Sequence, residues 1–375
     1  AKSTEKFLLF DEILNKFNIN KRPNLFSDYE IDFGRAISLK IRFFINLLYI
    51  VVIKLSMGGF MNEIDNKFFE LIEIFKNLSE EQLYERIKLN YQSLPSLLKD
   101  IYEDYFQRFD YWGSLNEKNN DFEEIKKKAH ILSKYYKDFV WLYNKLEDYS
   151  SKYLLFAILN NWFIYDITNI KKCIDNKYKH YFDLDIIPKS EKETFVDVGA
   201  YVGDSSLDYI KTYGKKDNKI YCYEITNEMI EIMKNNLKDY ENIEYVNKAV
   251  KDKIGKVFID EKGDMSSNQT SVKGNKQIVC TTLDEDIKER IDIIKMDIEG
   301  DELSALKGAK RHIINDSPKL LISIYHKNEH YIKIPRYIYS LNKNYNFYMR
   351  YYGGELYPTE VVLLAIPKRT SKFKR

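Results

Sequence analysis

The sequence predicts an α/β fold preceded by an all-helical N-terminal half, and three observations support this prediction. From about residue 194 onward, short β-rich runs alternate with helical segments, which is typical of a mainly parallel sheet with helices on both faces. The strand candidates 345–350 and 360–366 are too close for a crossover helix, so we expect an antiparallel hairpin at the sheet edge. Before residue 181, apolar residues recur at spacings of three and four, which indicates helices.

The N-terminal half, residues 1–180, is predicted to be a helical domain, and residues 181–375 a second domain. Ser79-Glu80-Glu81-Gln82 matches a capping box, so a helix should begin near residue 80. Further helical periodicity covers 81–108, 117–147 and 150–174. The apolar run 43–53 is shorter than the roughly 20 residues of a membrane span. We interpret it as a buried helix, with a membrane-surface helix as the alternative.

The C-terminal half begins after a polar connector at 188–193. Strands are predicted at 194–198, 219–223, 243–247, 255–260, 277–280, 291–296, 319–325, 345–350 and 360–366. Helices are predicted at 204–213, 226–239, 301–314 and 334–342. Polar side chains stand at or just past several strand ends, and the carboxyl ends of parallel strands share one edge of a sheet. These residues are Asp197, Glu224, Asn247, Asp297 and His326.

The most informative segment follows the first of these strands. Asp197 precedes a turn with Gly199 and Gly203, which leads into a helix N-terminus. Glycines let a backbone approach a ligand closely, and a helix N-terminus offers unpaired N–H groups. A dinucleotide fingerprint needs two glycines only two residues apart, and these are four apart. Glu224 ends the next strand, where an acid typically accepts hydrogen bonds from ribose hydroxyls.

Together, several motifs resemble the FkbM-type methyltransferases. They are the segments 181–188, 195–204 with Asp-x-Gly-x-x-x-Gly, 295–302 with Asp-x-Glu-Gly, and the closing 351–360. The resemblance covers roughly residues 181–366. It implies a class I methyltransferase fold, a Rossmann-like parallel sheet with an antiparallel edge hairpin. It also implies S-adenosyl-L-methionine as the cofactor and a hydroxyl acceptor on a sugar, a glycan or a related small molecule.

Site residues follow from the motifs and the resemblance. The expected cofactor-binding residues are Asp197, Gly199, Ala200, Tyr201, Gly203, Asp204, Ser205, Glu224, Asn247, Ala249 and Asp297. Methyl transfer to a neutral hydroxyl requires alignment and a proton acceptor. The catalytic candidates are Asp297, Glu299 and His326, although Asp297 could simply cap its loop and His326 could be a packed strand-end residue. The same three residues could hold magnesium or manganese, but no metal is expected.

Other features leave alternatives open. The polar loop 263–271 is either a surface loop or a loop near the cofactor and acceptor, as the resemblance implies. The basic tail 368–375 is expected to be a disordered end, with weak contact to an anionic membrane surface as the alternative. The helical half is expected to shape the acceptor site or a homodimer contact.

Composition limits the function classes. A net charge of +2 gives no reason to expect a nucleic-acid partner. The three widely spaced cysteines predict neither a disulfide framework nor a zinc site, and they fit a reducing cytoplasm. The leading hypothesis is an S-adenosylmethionine-dependent O-methyltransferase. The alternatives are a nicotinamide-dependent Rossmann oxidoreductase and a non-catalytic partner-binding module of a glycan assembly system.

Overall fold

The computed structural model describes residues 62–109, 112–188, 192–214, 218–259, 270–271 and 276–368. From Glu63 onward these residues belong to one compact unit, Glu63–Arg375. The predicted helix at 43–53, most of the polar loop 263–271 and the tail after residue 368 lie outside the described residues. Within the described part of the chain, no helix combines the length and apolar character needed to span a bilayer.

Helices dominate the first part of this unit and alternate with strands in the second. The helices are α1 (Glu63–Asn77), α2 (Glu80–Gln92), α3 (Ser96–Arg108), α4 (Glu123–Lys145), α5 (Tyr149–Ile164), α6 (Thr168–Lys171), α7 (Asp204–Tyr213), α8 (Asn227–Asn236), α9 (Leu283–Asp286), α10 (Glu302–Lys307), α11 (Lys310–Asn315) and α12 (His330–Leu341). The strands are β1 (Leu115–Asn116), β2 (Asp121–Phe122), β3 (Thr194–Val198), β4 (Lys219–Tyr223), β5 (Ile243–Val246), β6 (Ala249–Val250), β7 (Gly255–Ile259), β8 (Thr270–Ser271), β9 (Lys276–Thr281), β10 (Ile293–Met296), β11 (Lys319–Ser323), β12 (Tyr345–Tyr351) and β13 (Val361–Pro367).

The main sheet has seven strands in the order β12-β13-β11-β10-β3-β4-β5. Neighbours from β11 to β5 run parallel, whereas β13 pairs antiparallel with both β11 and β12. The predicted α/β fold with its antiparallel edge hairpin is therefore confirmed. The central strands β3 and β10 are almost wholly buried, as expected for a sheet covered on both faces, and their residues are mainly apolar apart from Asp197 and Lys295.

The sequence-based elements are mostly right, and the exceptions have local causes. Ser79 makes the predicted capping box at the start of α2. The helix expected at 301–314 is split into α10 and α11 at Gly308, where a Cβ atom would lie 2.0 Å from the carbonyl oxygen of Lys251. The strands expected at 255–260 and 277–280 do not join the main sheet. They belong to a separate four-stranded sheet ordered β6-β9-β7-β8.

The described helices of residues 63–171 pack on the sheet around a shared hydrophobic core. Helix α5 is apolar on nearly all sides and lies against β12, where Ser151 Oγ accepts a hydrogen bond from the Met349 N–H at 2.8 Å. Trp112 donates its indole N–H at 2.9 Å to the carbonyl of Tyr325, which lies two positions after the end of β11. The functional division at residue 180 remains a prediction.

An ion pair inside α4 is fully enclosed by this packing. Lys128 Nζ lies 2.5 Å from Glu124 Oε1, and neither side chain is exposed to solvent. The Tyr165 hydroxyl donates to Glu124 at 3.0 Å, and its ring lies 4.3 Å from Lys128 Nζ. Burial lowers the pKa of Lys128. Each of the two buried charges is therefore stabilised by the opposite charge of its partner.

Removing one charge should be costly at this position. We expect Lys128→Met to lower the free energy of unfolding by about 3–5 kcal/mol, because Glu124 is left buried without its counter-ion. One helix position away, Lys127 pairs with Glu123 at the surface. The matched variant Lys127→Met should change the unfolding free energy by less than about 1 kcal/mol. Urea denaturation measures both, and equal effects of the two variants would contradict this account.

Candidate active site

A cleft opens at the carboxyl ends of the parallel strands, the edge where open α/β sheets bind ligands. Its open volume is about 630 Å³. Residues that line it include Gly199, Tyr201, Glu224, Ala249, Asp297 and Glu299. The structure therefore brings predicted cofactor-binding residues and predicted catalytic carboxylates to one shared space.

The glycine loop after β3 packs tightly against the protein itself. Gly199 has a φ of +80°, and a Cβ atom there would lie 1.9 Å from the carbonyl oxygen of Asp297. Gly203 precedes α7 with a φ of +81°, and its Cβ would lie 2.7 Å from Met233 Cγ. The sequence analysis attributed these glycines to close approach of a ligand. The structure adds a different cause, since the space of each missing side chain is filled by neighbouring protein atoms.

Asp197 holds this glycine loop in place from the protein interior. Its side chain is fully buried and accepts hydrogen bonds from Ser205 and Ser206 at 2.6 and 2.7 Å. Lys295 Nζ lies 3.0 Å from its other oxygen and donates to the Gly199 carbonyl at 2.7 Å. Burial opposes the charge on Lys295, but Asp197 and Asp297 outweigh it and raise the pKa of Lys295. Asp197, which the sequence predicts to bind the cofactor, thus connects β3, β10 and α7.

Glu224 directly follows β4 and faces the cleft. It accepts hydrogen bonds from the backbone N–H groups of Tyr201 at 3.0 Å and Thr226 at 2.9 Å. Burial raises the pKa of its carboxyl group. Asn247 donates to the Glu224 carbonyl at 2.9 Å. Each Glu224 oxygen still has acceptor capacity, so the residue is placed to receive hydroxyl groups of a ligand.

The remaining predicted cofactor residues occupy different environments. Ala200 is fully buried, and its N–H donates to the Tyr223 carbonyl at 3.0 Å. Asp204 is the exposed first residue of α7. Ala249 lines the cleft from β6. A role of these three residues in cofactor binding remains a prediction.

The three catalytic candidates lie together. Nε2 of His326 is 3.5 Å from Asp297 Oδ1 and 3.3 Å from Glu299 Oε2. The His326 side chain is only 1% exposed, whereas Asp297 and Glu299 are 22% and 19% exposed. The two carboxylates therefore face the cleft, and the imidazole lies behind them.

Glu302 closes the other side of His326, and the sequence analysis did not single it out. Its Oε1 lies 2.8 Å from His326 Nδ1 and accepts hydrogen bonds from the N–H groups of Ile298 and Gly300. Its Oε2 lies 3.2 Å from Nδ1 of His330. One fully buried carboxylate thus orients the imidazole and the loop that carries Glu299. Its position in the Asp-x-Glu-Gly-x-Glu run was the available signal.

These contacts set the charge state of the cluster. Burial alone would lower the pKa of His326, but Glu302 and Glu299 outweigh it and raise that pKa well above its ordinary value. Burial alone would raise the pKa of Glu302, but His326 and His330 hold it well below its usual range. The surrounding carboxylates therefore favour the protonated form of His326, which makes it a poor proton acceptor.

Two further residues approach Asp297 from distant parts of the chain. The Tyr181 hydroxyl donates to Asp297 Oδ2 at 2.6 Å, and its ring stacks on His180 with centroids 3.9 Å apart. Glu360, just before β13, accepts a hydrogen bond from the Tyr325 hydroxyl at 2.9 Å. Burial, followed by the charge of Asp297, raises the pKa of Glu360 to about 7. Their sequence separation from Asp297 left no local signal of this proximity.

The cluster also has the composition of a cation site. Among the described residues, Asp297, Glu302 and His326 each offer a ligand atom, and these atoms lie within 4.8 Å of one another. Carboxylates and one imidazole form a mixed oxygen and nitrogen donor set that divalent first-row metals accept.

Comparison with known proteins agrees with this geometry. Residues 197–351 match the family model described as the methyltransferase FkbM domain. This match confirms, for residues 197–351, the resemblance read from the motifs. No curated protein sequence matches the chain.

Solved structures show the same fold. The methyltransferase FkbM from Methylobacillus flagellatus KT is 24% identical with a TM-score of 0.56. The match covers 65% of this chain and 62% of the Methylobacillus protein, so this chain spans less than two thirds of the length of that protein.

More distant structural neighbours are also methyltransferase structures or related proteins. Aeropyrum pernix fibrillarin, solved with natively bound S-adenosyl-L-methionine, is 11% identical with a TM-score of 0.33, over 48% of this chain and 69% of that one. A proposed methyltransferase from Streptococcus mutans, solved with SAH, is 11% identical with a TM-score of 0.32, over 49% and 92%. Both likenesses are too weak to support an inference about this chain.

The close packing around Gly199 leads to a prediction about thermal stability. We expect Gly199→Ala to lower the melting temperature and to weaken cleft binding at the same time, because the added Cβ would collide with the Asp297 backbone. Gly354→Ala is the matched control, since nothing lies within 4 Å of its added Cβ. Thermal unfolding measures both. A Gly199→Ala protein as stable as wild type would contradict the close approach of the two strand ends.

Proposed function

We propose that this protein is an S-adenosylmethionine-dependent O-methyltransferase that acts on a hydroxyl of a sugar, a glycan or a related metabolite. The observation that carries the proposal is the shared cleft, in which Glu224 stands on one wall and Asp297 with Glu299 on another. A nucleotide-binding acid and candidate proton acceptors are thus within one open space. The FkbM domain supports the choice of cofactor, and the resemblance to that family supports a hydroxyl acceptor.

The cleft fits the cofactor on its own features. Glu224 presents a carboxylate held by two backbone N–H groups, so its oxygens are fixed in direction before a ligand arrives. We infer that these oxygens accept the two ribose hydroxyls, with Tyr201 and Ala249 lining the neighbouring walls.

The bound cofactor would supply a methyl group attached to a sulfonium sulfur. As the acceptor oxygen bonds to the methyl carbon, the carbon–sulfur bond would break and the sulfur would leave as a thioether. Asp297 and Glu299 serve as the candidates that take the hydroxyl proton, because both face the cleft. The Tyr181 hydroxyl fixes Asp297 Oδ2, and His326 holds Oδ1 from behind. His326 is therefore a positioning residue in this proposal, since its side chain is buried behind the carboxylates.

The alternatives receive less support. A nicotinamide-dependent oxidoreductase would need a dinucleotide loop, and the chain lacks the paired glycines of that fingerprint. A non-catalytic module would have no use for several carboxylates gathered around one buried imidazole, because burying charged groups is costly unless each is compensated.

Cofactor binding tests the first part of the proposal. Calorimetric titration should detect binding of S-adenosylhomocysteine and not of NAD. Glu224→Gln should weaken S-adenosylhomocysteine binding about tenfold or more, because it removes charge-assisted hydrogen bonds worth about 1.5–3 kcal/mol. Glu231→Gln on the exposed face of α8 is the control and should bind as wild type does. Undiminished affinity of a folded Glu224→Gln protein would refute the ribose role, and binding of NAD alone would favour the oxidoreductase.

Methyl transfer tests the second part. The protein should transfer a labelled methyl group from S-adenosylmethionine to a member of a panel of sugars, glycosides and glycan fragments. With that acceptor, Asp297→Asn should lower turnover about 10²–10⁴-fold while its affinity for S-adenosylhomocysteine stays close to wild type. Glu231→Gln again serves as the control. Wild-type turnover of Asp297→Asn would show that Asp297 is not the proton acceptor.

A further inference from the structure

The side chains around His326 form an unusual concentration of negative charge. Three carboxylates, those of Asp297, Glu299 and Glu302, lie within 3.5 Å of its two ring nitrogens. A protonated His326 compensates one of these charges, and His330 contacts Glu302 on the far side at 3.2 Å, away from Asp297 and Glu299. The neighbouring ammonium of Lys295 is held by Asp197 and the Gly199 carbonyl.

The two sides of the imidazole are not equivalent. Nδ1 faces Glu302, which is fully buried and also accepts two backbone hydrogen bonds. Nε2 faces Asp297 and Glu299, which line the open cleft. An ion entering from solvent would therefore meet Nε2 together with these two carboxylates.

We propose that Asp297, Glu299 and Nε2 of His326 bind one divalent cation at the floor of the cleft, and that this cation displaces the Nε2 proton to solvent. Glu302 is the residue that orients the histidine. Metal-binding histidines commonly donate their second ring N–H to a carboxylate, which fixes the tautomer and the ring direction. The Glu302 contact with Nδ1, at 2.8 Å, is of this kind.

Two of the donor separations suit a single ion. At metal–ligand distances of about 2.0–2.3 Å, adjacent donors around an octahedral ion lie about 2.8–3.3 Å apart. The observed separations from Nε2 are 3.3 Å to Glu299 and 3.5 Å to Asp297. A small inward movement of two partly exposed carboxylates would complete the site. Three protein donors would leave positions for water or for an acceptor oxygen.

Such a cation would deepen the proposed function. A hydroxyl oxygen bound to it would lose its proton more readily, because a bound cation lowers the pKa of an oxygen ligand. The second carboxylate oxygen of Glu299 could then accept that proton. This catalytic role rests on the proposed methyl transfer, whereas cation binding itself does not.

Manganese binding to the full chain tests the inference without an acceptor. The chelator-treated protein is titrated with Mn²⁺, and free Mn²⁺ is followed by electron paramagnetic resonance. We expect one site per chain, and Asp297→Asn and Glu299→Gln should each weaken it at least about tenfold. Asp301→Asn is the matched control. Its carboxylate lies on the same loop but 2.6 Å from Lys251 Nζ, so its manganese affinity should match wild type.

Two results would overturn the proposal: absence of a stoichiometric manganese site in the wild-type protein, or wild-type manganese affinity in both ligand variants. Thermal unfolding with and without Mn²⁺ provides a second measurement. The wild-type melting temperature should rise with Mn²⁺, and that rise should be lost in folded Asp297→Asn and Glu299→Gln.

Parallel titration with S-adenosylhomocysteine separates the two proposals. If S-adenosylhomocysteine binds but manganese does not, only the proposed cation site is refuted. If manganese binds but S-adenosylhomocysteine does not, only the proposed methyltransferase function is refuted.

Discussion

The buried ion pair between Asp197 and Lys295 is the interaction on which the site depends. The two residues stand opposite each other in the parallel register of β3 and β10. Asp197 also accepts hydrogen bonds from the hydroxyls of Ser205 and Ser206 at the start of α7, and Lys295 also donates one to the Gly199 carbonyl. One pair of charges therefore connects two strands, the glycine loop and a helix. Because a buried charge without its partner is costly, these four elements are constrained to fold together.

This constraint places the two walls of the cleft relative to each other. The glycine loop leads to the Tyr201 N–H, which fixes Glu224, while β10 leads directly into Asp297 and Glu299. Gly199 allows the loop to lie against the Asp297 carbonyl, where any side chain would separate them. The distance between the proposed cofactor acid and the proposed proton acceptors is therefore determined by the sheet and not by flexible loops.

A second set of buried charges supports the catalytic wall. Glu302 begins α10 and simultaneously holds His326, His330 and two backbone N–H groups of the preceding loop. The loop that carries Glu299 is thus fixed at both ends, and Glu299 itself adopts a φ of +55°. On the opposite side, the Trp112 indole reaches the Tyr325 carbonyl beside His326. The segment between α3 and β1 consequently contributes to the surroundings of the site.

The sequence by itself determined the fold class, most of the strands and the edge at which the candidate residues gather. Hydrophobic periodicity and turn residues are local properties, and the carboxyl ends of parallel strands must share one edge, so Glu224, Asp297 and His326 could be placed there without a structure. Only the tertiary structure decided which of these side chains face the cleft. Asp197 and His326 are buried behind it, and Tyr181, Glu302 and Glu360 lie close to Asp297 or His326. Burial and ionic contacts of this kind depend on residues brought together from distant positions. The pairing of Tyr181 with Asp297, 116 residues apart in the chain, has no local signature and exists only once the sheet has formed.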